Sequence, residues 1–81
     1  MFSFDHKPRM QQLRNVIQRG DKYYFVSTND TPDHGFETMV FPFDLYEGKV
    51  TNWGELYADH YETIEEAAKG HALVVANFNP D

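Results

Sequence analysis

Cysteine is absent from this chain of 81 residues, so the sequence excludes disulfide bonds and every site that needs a thiolate. Such a composition suits a reducing compartment. Long apolar runs are absent too, since no stretch approaches the roughly 20 residues that span a bilayer. Residues 1–6 lack the basic and then apolar order of a signal peptide. The sequence therefore predicts a protein that is not associated with a membrane.

Motifs of catalysis and metal binding are also missing. The five glycines are isolated, so no glycine-rich phosphate loop exists, and neither Ser3 nor Ser27 lies in a Gly-x-Ser-x-Gly elbow. The four histidines are scattered, whereas zinc needs three or four converging ligands. Asp33-His34 is the one polar pair at a predicted exposed loop tip. We expect no catalytic residues, no metal and no cofactor, and a protein that is not an enzyme.

Charge is distributed unevenly along the chain. Residues 1–22 carry five basic and two acidic side chains, a net charge of +3, whereas residues 23–81 carry two basic and eleven acidic ones, a net charge of −9. Nucleic-acid-binding proteins have a basic stripe, and a phosphate backbone would repel the acidic part. We expect no direct binding of nucleic acid. The acidity either attracts a basic protein surface or only keeps a small domain soluble.

The length fits a single domain over residues 1–81, with residues 1–10 as a flexible or edge segment. Turn formers and alternating apolar residues predict strands at Leu13–Arg19, Lys22–Thr28, Phe36–Phe43 and Trp53–Tyr61. A type II′ turn at Gly20-Asp21 would place Ile17 opposite Tyr24. A helix over residues 9–19 is the alternative, because its apolar residues also fit helical spacing. Residues 29–35 have the composition of a loop.

A C-terminal helix at residues 63–78 is the clearest prediction. Thr63 and Glu66 have capping-box spacing, in which the Thr63 hydroxyl accepts a hydrogen bond from the Glu66 amide. An apolar stripe recurs at steps of three and four residues: Ile64, Ala67, Ala68, His71, Val74, Val75 and Phe78. We interpret His71 as a hydrogen-bonded core histidine. The predicted fold class is α+β, an antiparallel meander of about four strands packed against one C-terminal helix.

One helix covers only one face of such a sheet, so we expect the other face to meet a second copy of the chain or another partner. In the predicted fourth strand, Trp53, Tyr57 and Tyr61 share one face with Glu55 and Asp59. These aromatic residues form either a binding platform or core beneath the helix. The predicted interaction surface consists of Asp30, Asp33, Glu37, Asp44, Glu47, Trp53, Glu55, Tyr57, Asp59, Tyr61 and Glu62.

Three segments, at residues 36–41, 48–56 and 60–71, resemble a group of small proteins that tailed bacteriophages and prophages encode. The shared features are an E-T-x-V strand, a short strand with tryptophan, and a helix start of the form Y-x-T-x-E-E-A-x-x-G-H. The resemblance covers roughly residues 36–75. It implies an accessory protein made in the host bacterial cytoplasm, and the group offers no catalytic residues to carry over.

These observations lead to one hypothesis and one alternative. The hypothesis is a non-enzymatic phage accessory protein that binds a host or viral protein through its acidic and aromatic surface. In its sharper form this surface imitates the charge of DNA. The alternative is a structural or assembly protein that associates with itself through the uncovered sheet face.

Overall fold

The computed structural model of the chain describes residues 10–33 and 35–80. Its elements are β1 (Leu13–Arg19), β2 (Lys22–Thr31), β3 (Gly35–Asp44), β4 (Lys49–Val50), β5 (Tyr57–Tyr61) and α1 (Ile64–Asn77). The strands form one antiparallel sheet in which β1, β2 and β3 are consecutive neighbours, and β4 and β5 both pair with the remaining edge of β3. The α+β prediction is confirmed. Most of the predicted flexible or edge segment, residues 1–9, lies outside the described residues.

The hairpin of β1 and β2 has the predicted register, with Ile17 opposite Tyr24. Gly20 has a φ of 65°, and Asp21 is not among the residues with positive φ. A positive φ at the first central residue alone is what a type II′ turn requires. This turn brings residues 13–19 alongside β2, where every one of them has a partner across the ladder. Strand pairing therefore overrides the helical spacing of this segment.

The predicted loop at residues 29–35 is wrong over most of its length. The ladder between β2 and β3 continues to Asp30 opposite Phe36 and Thr31 opposite Gly35. Gly35 has a φ of 76°, and a Cβ there would lie 2.5 Å from the Tyr61 carbonyl oxygen. Turn-forming composition is thus overridden by cross-strand pairing, and glycine is needed where β3 begins.

The predicted fourth strand begins four residues late, at Tyr57. Asn52 Oδ1 accepts the Gly54 N–H at 2.8 Å, a local turn that asparagine favours. Leu56 N–H then donates to the Val40 carbonyl at 2.8 Å, and regular pairing with β3 follows. Residues 53–56 therefore approach the sheet without belonging to a strand.

Helix α1 begins after its predicted cap: the Glu66 N–H donates to the Thr63 hydroxyl at 3.1 Å, and the Thr63 N–H donates to the Glu66 carboxylate at 3.2 Å. The helix contributes Val74 to a core whose other members are the sheet residues Ile17, Tyr24, Val26 and Val40. Its buried residues are Ala67, Gly70, His71 and Val74, whereas Ile64 is 41% exposed and Ala68 is also exposed. The predicted stripe is wrong at these two positions, because the buried helix face is rotated toward Gly70.

Candidate functional site

A groove of about 530 Å³ separates β5 from α1. Its strand side is formed by Tyr57, Asp59 and Tyr61, and its helix side includes Gly70 and Leu73. Pockets for small ligands typically have volumes of roughly 300–1,000 Å³. The groove is therefore large enough for one amino-acid side chain or a comparable group.

Strand alternation brings the three strand residues to the groove. Tyr57 pairs with Val40, which is fully buried under the helix, and Asp59 and Tyr61 follow at steps of two. Residues at steps of two share one sheet face, so all three point toward α1. Since β5 lies at a sheet edge among the described strands, the groove opens to the side.

Gly70 of the helix lies against the Tyr61 side chain of β5. A Cβ added at Gly70 would collide with Cζ and Oη of the Tyr61 ring. The missing side chain therefore leaves room for the hydroxyl end of the tyrosine ring beside the helix. This contact explains why residue 70 is a glycine, which could not be explained from the sequence alone.

The Asp59 carboxylate lies between the two tyrosines. Its Oδ1 accepts the His60 N–H at 2.9 Å, and its Oδ2 accepts the Tyr57 hydroxyl at 3.4 Å. Burial and then the Asp59 charge raise the pKa of Tyr57. Burial and the Asp59 charge likewise raise the pKa of Tyr61, against a hydrogen bond with Thr38 that lowers it. Both tyrosines are therefore neutral hydrogen-bonding groups beside a negative charge.

Apolar residues surround this polar centre. The rings of Tyr57 and Phe78 meet edge to face with centroids 6.5 Å apart, which closes one end of the groove. Leu56 and Leu73 are each 53% exposed at the rim. Exposed leucines next to aromatic rings are typical of surfaces that contact another molecule.

A hydrogen-bond network runs across the sheet under the helix and ends at Tyr61 in the groove. His71 Nε2 donates to Asn15 Oδ1 at 2.7 Å, and the Thr28 hydroxyl donates to His71 Nδ1 at 2.7 Å. Thr28 and Thr38 are joined through their hydroxyls, and Thr38 in turn contacts Tyr61. Burial lowers the pKa of His71, which favours its neutral form. The prediction of a hydrogen-bonded core histidine is confirmed.

The predicted aromatic platform is divided between the two sheet faces. Trp53 packs edge to face on Phe41, with centroids 5.0 Å apart. Phe41 follows the core residue Val40 and therefore points away from the helix. Tyr57 instead faces the helix. The prediction that Trp53 and Tyr57 share one strand face is wrong, because the turn at Asn52 separates them.

The predicted acidic residues also separate. Asp30 and Asp33 lie near the turn between β2 and β3, whereas Asp44 and Glu47 lie near the turn between β3 and β4. Phe36, opposite Asp30, is eight positions before Asp44, or ~26 Å along an extended strand. These four carboxylates therefore do not form one continuous strip.

Three predicted acidic residues have local partners. Asp44 Oδ1 accepts the Glu47 N–H at 3.1 Å and closes a turn. The Glu47 carboxylate pairs with Lys49 at 3.2 Å. Glu37 pairs with His60 at 2.8 Å on the sheet face opposite the helix. Each of the three carboxylates therefore has a partner within the chain, and no bound ligand is needed to explain its position.

Glu55 and Glu62 are exposed and flank β5 in the chain, so they add negative charge near the groove. Of the predicted Asp33-His34 pair, His34 lies outside the described residues. Within residues 10–33 and 35–80, no three side chains of the His, Asp or Glu type converge as metal ligands. In the same ranges, no helix has the length and apolar character needed to cross a membrane.

The helix side of the groove was not predicted from sequence. Gly70, Leu73 and Asn77 line the groove without any local motif. Their spacing of three and four residues was a signal, since it places them on one helix face. Comparison of the chain with protein-family models, curated proteins and solved structures gave no match.

Proposed function

We propose that the chain is a non-enzymatic binding domain that recognises a basic segment of a protein partner at the groove between β5 and α1. One observation carries the proposal: Tyr57, Asp59 and Tyr61 join two aromatic rings and a carboxylate at an open sheet edge. Exposed Leu56 and Leu73 border this centre. Aromatic and apolar contact area with one charged group is the usual composition of a specific protein-binding surface.

The charges of the two sheet edges support a basic partner. The β5 edge carries Asp59, with Glu55 and Glu62 on either side in the chain, whereas the opposite edge strand β1 carries the exposed Arg14. Complementary charge raises the rate of encounter and orients the two surfaces. A basic segment would thus be steered toward β5 and away from β1.

The resemblance described above provides the biological setting of the proposal. On that basis the domain is a phage accessory protein that acts on a host or viral protein in the bacterial cytoplasm. The distance between Asp30 and Asp44 favours local recognition at the groove over an extended imitation of DNA charge.

Affinity capture from bacterial lysate, followed by calorimetry with the purified partner, tests this function. We expect Tyr57→Ser and Asp59→Asn to weaken binding of that partner. Tyr46→Ser and Asp21→Asn are matched controls, because Tyr46 is 99% exposed in a turn and Asp21 lies in the β1–β2 turn. A partner that binds all four variants equally would contradict recognition at the groove.

An extra variant distinguishes the groove from the DNA-charge form of the proposal. Asp33→Asn removes a carboxylate from the distant group without touching the groove. If the groove is the site, this variant binds as the unmodified chain does. If an extended acidic strip is the site, Asp33→Asn and Asp59→Asn weaken binding to a similar degree, and the loss is largest at low salt.

A second function, self-association, is favoured by the sheet face opposite the helix. Trp53 is 67% exposed there, Val16 is also exposed, and the rings of Phe25 and Phe43 stack with centroids 6.2 Å apart. No helix within the described ranges covers this face. Light scattering at about 100 µM detects a dimer of moderate affinity. A monomer at that concentration, with intact partner binding, would exclude this function.

A further inference from the structure

We infer that the groove binds one arginine side chain of the partner, with its guanidinium on the Asp59 carboxylate and its methylene groups along Leu73. This inference rests on the proposed function and adds the chemistry of the bound group. It follows from the hydrogen bonds of Asp59, from the charge in the groove and from the composition of its walls.

The capacity of Asp59 is the first argument. A carboxylate has about four acceptor positions. The His60 N–H occupies one on Oδ1, the Tyr57 hydroxyl occupies one on Oδ2 at the long distance of 3.4 Å, and Tyr61 also hydrogen-bonds to Asp59. The long Tyr57 contact is weak, so a stronger donor can take its place on the carboxylate. Two parallel N–H groups on a planar fork fit this arrangement, and arginine is the side chain that presents them.

Charge around the groove is the second argument. Asp59 is the one charged residue among those described as lining it. At 100° per residue, Lys69 lies beyond Leu73 toward solvent, and it is not among the residues that line the groove. Asp59 is therefore the charge that a cation in the groove meets first.

The side chains that form the walls of the groove also suit arginine. A guanidinium plane stacks on tyrosine rings, and a lysine ammonium cannot reproduce both stacking and two parallel hydrogen bonds. Leu73 at the rim offers apolar surface to the methylene groups of the side chain. The Asn77 side chain on the helix side adds an acceptor for a remaining guanidinium N–H.

Three peptides that differ in one residue test the inference. Each is acetyl-Gly-Leu-X-Leu-Gly-amide, with X as arginine, lysine or citrulline, the last having the shape of arginine without its charge. Binding is followed by amide NMR shifts of the ¹⁵N-labelled chain. We expect saturable shifts centred on Gly70 and Leu73, with the citrulline peptide about ten-fold weaker than the arginine peptide and lysine between them.

Variants assign the effect to one carboxylate. Asp59→Asn should weaken the arginine peptide about ten-fold and leave the citrulline peptide unchanged, whereas Asp21→Asn should change neither. Both positions are exposed, and amide spectra of the free variants report whether the fold is retained.

Several outcomes would overturn the inference. These are equal binding of the arginine and citrulline peptides, equal binding of arginine and lysine, shifts that follow the distant acids near Asp33 and Asp44, or no shift up to about 10 mM. The proposed function fails separately. A captured partner that depends on Tyr57 and Asp59 while the three peptides bind alike would leave the function standing and remove arginine as its ligand.

Discussion

Arg19, the last residue of β1, caps the carboxyl end of α1 through Phe78. Its Nε donates to the Phe78 carbonyl at 2.7 Å, and its Nη2 donates to the Val75 carbonyl at 2.6 Å. The helix has no basic residue in its own last turn. Arg19, which is 56 residues before Val75 in the sequence, therefore supplies the positive charge that the negative end of the helix dipole favours.

This cap can be tested by Arg19→Met, which keeps an unbranched side chain and removes all donors. We expect the free energy of unfolding to fall by about 1–3 kcal/mol, because two carbonyl groups lose charged partners. Urea denaturation followed by circular dichroism measures the change. Arg14→Met is the matched control, since Arg14 is exposed in the same strand and should cost less than about 0.5 kcal/mol. Equal losses would show that Arg19 is not a specific cap.

A second prediction concerns Gly70 against the Tyr61 ring. Alanine is a better helix former than glycine by about 1 kcal/mol, so Gly70→Ala would stabilise an unobstructed helix. Here the new methyl group would collide with the ring, and we expect a net loss of about 1–3 kcal/mol.

The double variant Gly70→Ala with Tyr61→Ser separates the collision from other effects. Removal of the ring should make the alanine substitution neutral or stabilising, which gives a coupling energy in a double-mutant cycle. Additive effects in denaturant unfolding would mean that the two residues are not in contact.

The stability of the fold should depend on pH through His71. Burial lowers its pKa in the folded chain, so the unfolded chain binds the proton more readily. The contribution of neutral His71 to the free energy of unfolding is complete above the ordinary histidine pKa of about 6.5. It is lost as the pH falls through the lower pKa that His71 has in the folded chain. We therefore expect the unmodified chain to lose stability relative to His71→Gln between about pH 7.5 and pH 5, by at most about 1.4 kcal/mol per pH unit.

Denaturation curves across this pH range, measured for both proteins, give the difference directly. His60→Gln is a suitable control, because His60 pairs with Glu37 at the surface and is absent from the buried network. Parallel pH profiles for the unmodified chain and His71→Gln would contradict the prediction. Carboxylate titration affects both proteins alike and cancels in the comparison.

The buried threonine pair yields a fourth prediction. Thr28 and Thr38 are both fully buried and hydrogen-bonded to each other. Thr38→Val keeps the shape of the side chain but removes the hydroxyl, and we expect a loss of about 1–2 kcal/mol in the free energy of unfolding. Thr51→Val, at an exposed position, is the control and should be close to neutral. A neutral effect at Thr38 would mean that the network does not stabilise the fold.

Elements defined by neighbouring residues were predictable from the sequence. The Gly20-Asp21 turn sets the register of β1 and β2, and the cap at Thr63 sets the start of α1, because in each case a few consecutive residues supply the necessary chemistry. The errors at residues 29–35 and 53–56 have another origin. There the outcome depends on whether β3 offers a partner to the chain, and local composition does not contain that information.

The strand side of the candidate site was predictable from the sequence, and the helix side was not. Alternation in β5 identified Tyr57, Asp59 and Tyr61 as neighbours on one face. The same alternation, extended too far, included Trp53, which the turn at Asn52 moves to the other side of the sheet. The helix half of the groove depends on how α1 lies across the sheet. That placement depends on the contact of Gly70 with Tyr61. The two residues come from different elements, so no local sequence pattern contains this contact.

The hydrogen bond from the His60 N–H to Asp59 has a consequence for how β5 meets other chains. An exposed edge strand has unpaired amide donors with which a strand of another chain can pair, and such pairing leads to aggregation. In β5 one such donor is occupied by the side chain of the preceding residue, and charge at Asp59 opposes the close approach of an identical acidic edge. The strand can therefore present its side chains to a partner while resisting unlimited polymerisation through its backbone.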